Sequence, residues 1–193
     1  MKKRLFTRII AGRFKGRKLF LPDKNVTRSS KSILKEALFN ILQFDIVDKN
    51  FVEVFGGSGS VGLEALSRGA KRVYFIEKDR GSYEILRQNC KSLDDSVCIV
   101  RYGDAFELLF DVIEDLQSKK ERAYFYFDPP FSIRQGYEDI YKKVAETIAK
   151  IPKEVVEAIV IEHMSNYDFP QKIGTFELYK WRKFGKSSLS FYR

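Results

Sequence analysis

The sequence contains few cysteine and histidine residues, the types that bind metals or form stabilising disulfide bonds. Its 193 residues include two cysteines, Cys90 and Cys98, and a single histidine, His163. A zinc site needs about four ligands of these types, so we predict no metal centre and a structural role for His163. Two isolated cysteines are typical of a reducing compartment, which favours a cytoplasmic protein.

Long apolar runs are lacking as well. No stretch approaches the roughly 20 apolar residues that cross a bilayer. The basic start, MKKRLFTRIIAGRFKGRK, has apolar pieces too short for a secretory signal. Hydrophobic residues nevertheless make up 44% of the chain, which is enough for a core and argues against disorder. We therefore predict a monomer with one main domain and no membrane partner.

Positive charge is concentrated at the start of the chain. Residues 1–35 carry a net charge of +11, whereas the rest of the chain carries −2. A localised basic segment is typical of a polyanion binder. A solvated terminus is the alternative, but the segment also contains strand-like apolar residues. The predicted phosphate contacts are Arg8, Arg13, Lys15, Arg17, Lys18 and Arg28.

The basic segment has the pattern of a small structural unit. Residues 7–21 contain two apolar runs around a Gly- and Lys/Arg-rich turn, which predicts a β-hairpin. Apolar residues then recur at intervals of three to four over 28–42, which predicts a helix. We predict that residues 1–45 form a nucleic-acid-facing extension. A cluster at 180–186 would add to its basic face, and we expect Trp181 there to pack rather than to stack on a base.

The remaining chain, residues 46–193, alternates strand and helix patterns. The predicted strands are 51–55, 72–77, 97–102, 123–127 and 155–163, and the predicted helices are 61–70, 79–93, 104–116 and 134–150. Repeated β-α-β units indicate an α/β, doubly wound, Rossmann-like domain with a mostly parallel sheet. The tail predicts an antiparallel C-terminal hairpin. In such folds ligands bind beyond the carboxyl ends of the strands.

Four acids stand where predicted strands end. Glu53, Glu77, Asp104 and Asp128 are separated by 24, 27 and 24 residues, which is one βα unit each. In a parallel sheet all four lie at the same edge. Four neighbouring carboxylates repel one another unless a partner compensates them, and a ligand rich in hydrogen-bond donors is a suitable partner.

A glycine-rich loop follows the first of these strands. Gly57, Gly59 and Gly62 satisfy GxGxxG, and Glu77 lies 20 residues after Gly57. The pattern fits a dinucleotide or S-adenosylmethionine. We favour S-adenosylmethionine, since a carboxylate at Glu53 would repel a pyrophosphate but attract an ammonium group. The predicted cofactor-binding residues are Glu53, Phe55, Gly57, Ser58, Gly59, Glu77, Lys78, Asp104 and Ala105.

The stretch YFYFDPPF ends the fourth strand with Asp128, Pro129, Pro130 and Phe131. The prolines have no backbone N–H, so this turn presents hydrogen-bond acceptors. The Asp128 carboxylate and the Pro129 carbonyl can accept the two hydrogens of an exocyclic amine and orient its lone pair. Phe131 can stack on a base. These four residues are the predicted catalytic site.

These motifs, over nearly the whole chain, resemble the RsmD-type methyltransferases. The matching stretches are RIIAGRFKGRKL, TRSSKSILKEALFNIL, VEVFGGSGSVGLEALSRGA, VYFIEKDR, GDAFELL, FDPPF and FGKSSLSFYR. The resemblance implies a methyltransferase domain over 46–193 and methylation of guanine N2 in 16S ribosomal RNA, usually at guanine-966. It also implies an RNA or 30S partner, and cofactor and catalytic roles for Glu53, Gly57, Gly59, Glu77, Asp104 and Asp128.

The chain departs from the family pattern at a few positions. The family usually has Asp at Glu53, Ala at Gly56 and Arg-Pro-Thr at 28–30. Three other functions stay open on the residues alone: an N6-adenine DNA methyltransferase, an NAD-dependent oxidoreductase and a non-catalytic RNA-binding module. The first would often carry a larger recognition insertion, and the other two give the DPPF motif no role.

Overall fold

The computed structural model describes residues 5–22, 28–131, 136 and 139–193. Within these ranges the chain folds around one eight-stranded sheet. Its strands are β3 (Asn50–Glu53), β4 (Arg72–Glu77), β5 (Cys98–Tyr102), β6 (Ala123–Phe127), β7 (Val156–Met164), β8 (Lys172–Ile173), β9 (Phe176–Phe184) and β10 (Ser187–Tyr192). They lie side by side in the order β5-β4-β3-β6-β7-β10-β9-β8. The strands from β3 to β7 are parallel, and the last three are antiparallel. The predicted fold class is confirmed.

Helices cover both faces of this sheet. They are α2 (Gly62–Ser67), α3 (Arg80–Leu93), α4 (Ala105–Ser118) and α5 (Ile140–Ile148), with short 3-10 helices at Gln43–Ile46, Asp95–Val97 and Lys153–Val155. The central strands β3 and β6 are buried at every position because helices pack on both of their sides. Each described helix is too short or too polar to cross a bilayer.

The N-terminal segment forms a two-stranded sheet followed by a helix. Strands β1 (Phe6–Arg8) and β2 (Lys18–Phe20) pair antiparallel, and α1 spans Arg28–Leu42. Ile9, Leu19 and Leu38 are buried in the same apolar cluster as the sheet residues Phe51 and Val73. The extension is therefore packed into the core of the domain.

Three details differ from the sequence prediction. Helix α5 begins at Ile140; part of the longer predicted helix lies outside the described residues. Strand β8 was not predicted, because a two-residue strand carries no recognisable pattern. Trp181, for which packing was expected rather than base stacking, is 43% exposed on β9, an outer strand whose partner β8 pairs only at its start.

Candidate functional site

The order in which successive strands join the sheet reverses between β3 and β6. A cavity of about 130 Å³ lies at the carboxyl ends of these two strands. Residues of the glycine loop at 55–58 and 60–61 line one side, and Leu21 and Pro22 of the extension line another. The remaining lining residues are polar: Lys35, Glu53, Tyr126, Asp128 and Glu162. Such a switch point is where open α/β sheets bind ligands.

The glycine loop needs residues without side chains for two different reasons. Gly59 has φ +75°, and a Cβ there would lie 2.4 Å from Leu86 Cδ1. Gly57 has φ +52°, but a Cβ there would meet no atom within 4 Å. Gly59 therefore permits tight packing on α3, whereas Gly57 leaves its backbone accessible to a ligand.

Glu77 fixes the loop and the start of α3. Its Oε2 accepts a hydrogen bond from the Gly57 amide at 2.6 Å, and its Oε1 accepts one from the Asp79 amide at 2.7 Å. Each carboxylate oxygen can accept a second hydrogen bond. Glu77 thus has acceptor capacity for ligand hydroxyls beside the exposed backbone of Gly57.

The next strand end is organised around Asp104. Asp104 caps α4 by accepting from the Phe106 amide at 2.9 Å, and its Oδ2 lies 3.9 Å from Lys78 Nζ. Ala105 is buried as the first residue of this helix. Phe55, half-buried, packs edge to face on Phe106 with 5.7 Å between ring centroids. These residues form a wall between the ends of β3 and β5.

Glu53 is 4% exposed, and its Oε2 accepts from the Gly62 amide at 2.7 Å. Glu53 therefore holds the N-terminus of α2 as well as lining the cavity. Glu77 and Asp104 also accept from backbone amides where helices begin, but they lie outside the lining of the cavity. The repulsion expected among the acids at this edge is thus compensated in part by the chain itself and not by a ligand alone.

The DPPF turn leaves the sheet beside Glu53. Asp128 is half-buried and lines the cavity, Pro129 is buried, and Pro130 and Phe131 are half-buried. The parallel register pairs Phe127 with Ile161, so Asp128 and Glu162 follow one step later on neighbouring strands. The turn therefore brings a carboxylate and prolyl carbonyls to the mouth of the cavity.

Three polar residues that line the cavity outside the glycine loop were not singled out in the sequence: Lys35, Tyr126 and Glu162. Tyr126 donates a hydrogen bond to Glu162 Oε2, and both side chains are buried. Burial, together with the nearby charges of Glu162 and Asp128, raises the pKa of Tyr126. Its hydroxyl therefore stays protonated and remains a donor. Glu162 directly follows the apolar run 158–161 of a buried strand, and this position was the one signal in the sequence.

Lys35 lies at the edge of the cavity and joins three segments. It is 5% exposed, and its Nζ donates to the Arg8 carbonyl at 3.3 Å and the Ser60 carbonyl at 3.4 Å. Burial lowers the pKa of Lys35, whereas the charge of Glu64 acts in the opposite direction. Lys35 thus connects α1, β1 and the glycine loop.

The basic residues of the extension lie on and around the hairpin. Arg13 Nη2 lies 3.2 Å from Asp94 Oδ2, and Arg17 Nη2 donates to the Ser92 carbonyl at 2.6 Å. Arg8 Nη1 donates to the Gly16 carbonyl at 2.7 Å. Lys15 and Lys18 are exposed. Arg28 begins α1, and its side chain lies outside the described part of the structure.

Asn89 of α3 attaches the extension to the glycine loop. Its side-chain amide accepts from the Phe20 amide and donates to the Phe20 carbonyl, both at 2.9 Å. It also donates to the Ser58 carbonyl at 2.8 Å. Asn89 therefore fixes the position of the hairpin relative to the glycine loop that lines the cavity.

His163 packs within the domain as predicted. It is 1% exposed, with Nδ1 2.9 Å from the Met164 carbonyl and Nε2 2.8 Å from Ser190 Oγ. Burial lowers its pKa, so the neutral ring donates to the carbonyl and accepts from the serine. No group of three or more possible metal ligands occurs within the described ranges.

A larger, open groove of about 470 Å³ lies at the amino-terminal edge of the sheet. Its charges are mostly paired: Glu157 lies 2.9 Å from Lys49 and 3.6 Å from Arg122. It contains none of the predicted site residues. The smaller cavity, which brings Glu53, Asp128 and the glycine loop together, is therefore the candidate site.

Comparisons with known proteins identify the family of the chain. Residues 7–193 match the family model described as Conserved hypothetical protein 95. Over 124 residues the chain is 37% identical to "Ribosomal RNA small subunit methyltransferase D" of Escherichia coli, covering 64% of this chain and 60% of that protein. The same-named protein of Haemophilus influenzae is 35% identical over 125 residues, which cover 64% and 63%.

The aligned region thus spans somewhat under two thirds of these relatives. A solved structure, "Putative methyltransferase yhhF from Escherichia coli", is 27% identical over 97% of both chains, with a TM-score of 0.75.

Proposed function

The chain belongs to the family described as Conserved hypothetical protein 95, and we propose that it is an S-adenosylmethionine-dependent methyltransferase of small-subunit ribosomal RNA. We propose further that the acceptor is the exocyclic N2 amine of a guanine. The observation that carries this proposal is the cavity at the sheet's switch point, where Asp128 faces the glycine loop.

The residues around the loop fit S-adenosylmethionine. Gly57 offers an accessible backbone, and Glu77 can accept from ribose hydroxyls while holding the loop. Lys78, Asp104 and Ala105 would bind the adenine in this proposal. Glu53 supplies negative charge near the methionine end. When bound, the cofactor supplies a methyl group already activated on a sulfonium.

The DPPF turn orients the acceptor in this proposal. An exocyclic amine is a poor nucleophile, because its lone pair is delocalised into the base. Asp128 and the Pro129 carbonyl accept its two hydrogens and so direct the lone pair toward the methyl group. Phe131 packs on the base, and positioning with electrostatics supplies most of the acceleration. The base must be unpaired or flipped out of its helix to reach this turn.

Residues 1–45 form the RNA-facing surface in this proposal. The exposed cations of the hairpin contact phosphates, while Asn89 and Lys35 hold the hairpin against the cavity. A bound RNA would thereby be placed in a defined relation to Asp128.

Product identification tests this proposal. The protein is incubated with methyl-labelled S-adenosylmethionine and, separately, with small-subunit ribosomal RNA, 30S particles or DNA, and the labelled nucleoside is identified after digestion. We expect N2-methylguanosine from one or both ribosomal substrates. N6-methyladenine in DNA would establish the adenine DNA methyltransferase instead.

A further inference from the structure

A second carboxylate beside Asp128 has no role in the proposed transfer. Glu162, near the carboxyl end of β7, is 4% exposed and lines the same cavity as Asp128. The Phe127–Ile161 pairing puts the two acids one step further along adjacent strands, and adjacent strands lie about 4.8 Å apart. A nucleobase that meets Asp128 there therefore also meets Glu162.

Tyr126 holds this carboxylate in place. Its hydroxyl donates to Glu162 Oε2, and its buried ring stacks on Phe51 with 6.2 Å between the ring centroids. Burial and the charges of Glu162 and Asp128 raise the pKa of Tyr126, which keeps the hydroxyl a donor. Glu162 is thus a carboxylate that Tyr126 holds in position and that lines the cavity beside Asp128.

The chemistry of the bases decides what such a pair of acceptors selects. In guanine the exocyclic amine adjoins the N1–H donor. In adenine and cytosine the exocyclic amine adjoins a ring nitrogen that has no hydrogen and carries a lone pair. Two neighbouring carboxylates can therefore accept hydrogen bonds from both the amine and the N1–H of guanine. In adenine or cytosine the lone pair of the ring nitrogen would face the second carboxylate, and the two would repel each other. A site built around a substrate donor rejects analogues that lack it.

We propose that Glu162 is a base-recognition residue, whose carboxylate accepts the N1–H of the target guanine while Asp128 accepts from the amine. Tyr126 is the positioning residue that orients Glu162. This inference rests on the proposed guanine-N2 activity and adds to it the residue that distinguishes guanine from adenine. A bound guanine would also reduce the repulsion between the two acids.

The test uses an RNA in which 2-aminopurine replaces the guanine that the wild-type protein labels. 2-Aminopurine keeps the exocyclic amine but has no hydrogen on N1. The wild-type protein should prefer guanine by at least about tenfold in kcat/KM, because one hydrogen bond to a charged acceptor is lost. In E162Q the side-chain amide can donate a hydrogen bond to N1 of 2-aminopurine. The ratio of kcat/KM for guanine to kcat/KM for 2-aminopurine should therefore fall toward one.

Two controls separate the possible outcomes. E157Q makes the same change at the other end of β7 and should keep the wild-type preference. Affinity for S-adenosylhomocysteine should stay within about twofold of wild type in E162Q, since Glu162 contacts the base; a parallel loss of this affinity would overturn the assignment. An unchanged preference for guanine in E162Q would overturn it as well.

Y126F keeps the inference testable if E162Q has no turnover. This variant leaves the carboxylate but removes the hydroxyl that orients it, so the preference for guanine should fall by severalfold. A preference equal to that of the wild type would overturn the proposal. If the wild-type protein itself makes no N2-methylguanosine, the proposed function fails, and that result is distinct from failure of E162Q to change the preference.

Discussion

The ammonium of Lys35 lies 3.2 Å from the carboxylate of Glu64, and both side chains are almost fully buried. Glu64 also accepts from the Ile10 amide at 2.8 Å, the Ala11 amide at 3.0 Å and Arg68 Nε at 2.9 Å. One carboxylate on the helix after the glycine loop therefore fastens both α1 and the hairpin to the domain.

This relationship predicts a large effect on stability. Glu64→Ala would leave the buried charge of Lys35 without its nearest partner and two backbone amides without acceptors. We expect a loss of about 3–5 kcal/mol in the free energy of unfolding, measured by urea denaturation. Glu114→Ala, an exposed change on α4, should stay within about 0.5 kcal/mol of wild type. A loss below about 1 kcal/mol for Glu64→Ala would contradict the structural account.

Glu77 should control cofactor affinity. Glu77→Gln keeps the size of the side chain but turns an N–H donor toward the Gly57 or Asp79 amide, so one of the two hydrogen bonds is lost. We expect binding of S-adenosylhomocysteine to weaken by about 10- to 100-fold in calorimetry. Glu84→Gln, exposed on α3, is the matched control. Equal affinity in wild type and Glu77→Gln would remove Glu77 from the cofactor site.

The hairpin cations should set the salt dependence of RNA binding. The double variant Lys15→Gln/Lys18→Gln removes two exposed charges near the turn. The slope of log K against log salt should become shallower by about 1 to 2, since each lost phosphate contact contributes about 0.7–0.9. Lys150→Gln/Lys153→Gln removes two exposed charges elsewhere and should leave the slope unchanged. If both double variants bind alike, the hairpin is not the RNA-facing surface.

His163 should make the protein less stable in acid. Its pKa is lowered by burial, so the unfolded chain takes up a proton near pH 6.5 while the folded chain takes it up only at lower pH. This contribution to stability is complete above pH 6.5 and is lost as the pH falls through the folded-state pKa. Because the chain has one histidine, its Hε1 resonance reports the titration directly. A midpoint at or above 6.5 would contradict the assignment.

Much of the fold could be predicted because its signals are local. β4 and β6 have the predicted bounds, since apolar runs between Gly and charged residues define buried strands. The resemblance to the RsmD-type methyltransferases is confirmed, and it depends on motifs that are contiguous in sequence. The acids at the strand ends follow from the βα spacing alone.

The rest of the site depends on contacts between distant parts of the chain. Lys35 and Glu64 are 29 positions apart, and neither stands in a motif that distinguishes a buried ion pair from surface charges. Tyr126 and Glu162 meet only because β6 and β7 are neighbours. Trp181 shows the opposite case: its size suggests burial, but the edge position of its strand leaves it exposed.

The central claim is that Asp128 orients an exocyclic amine at the switch point of the sheet. Asp128→Asn removes the charge and keeps the shape, so it tests this claim most directly, in single-turnover methyl transfer to small-subunit RNA. We predict a rate about 100- to 1,000-fold below wild type with little change in S-adenosylhomocysteine affinity, while Asp111→Asn on α4 keeps the wild-type rate. Methyl transfer by Asp128→Asn at the wild-type rate would contradict the account.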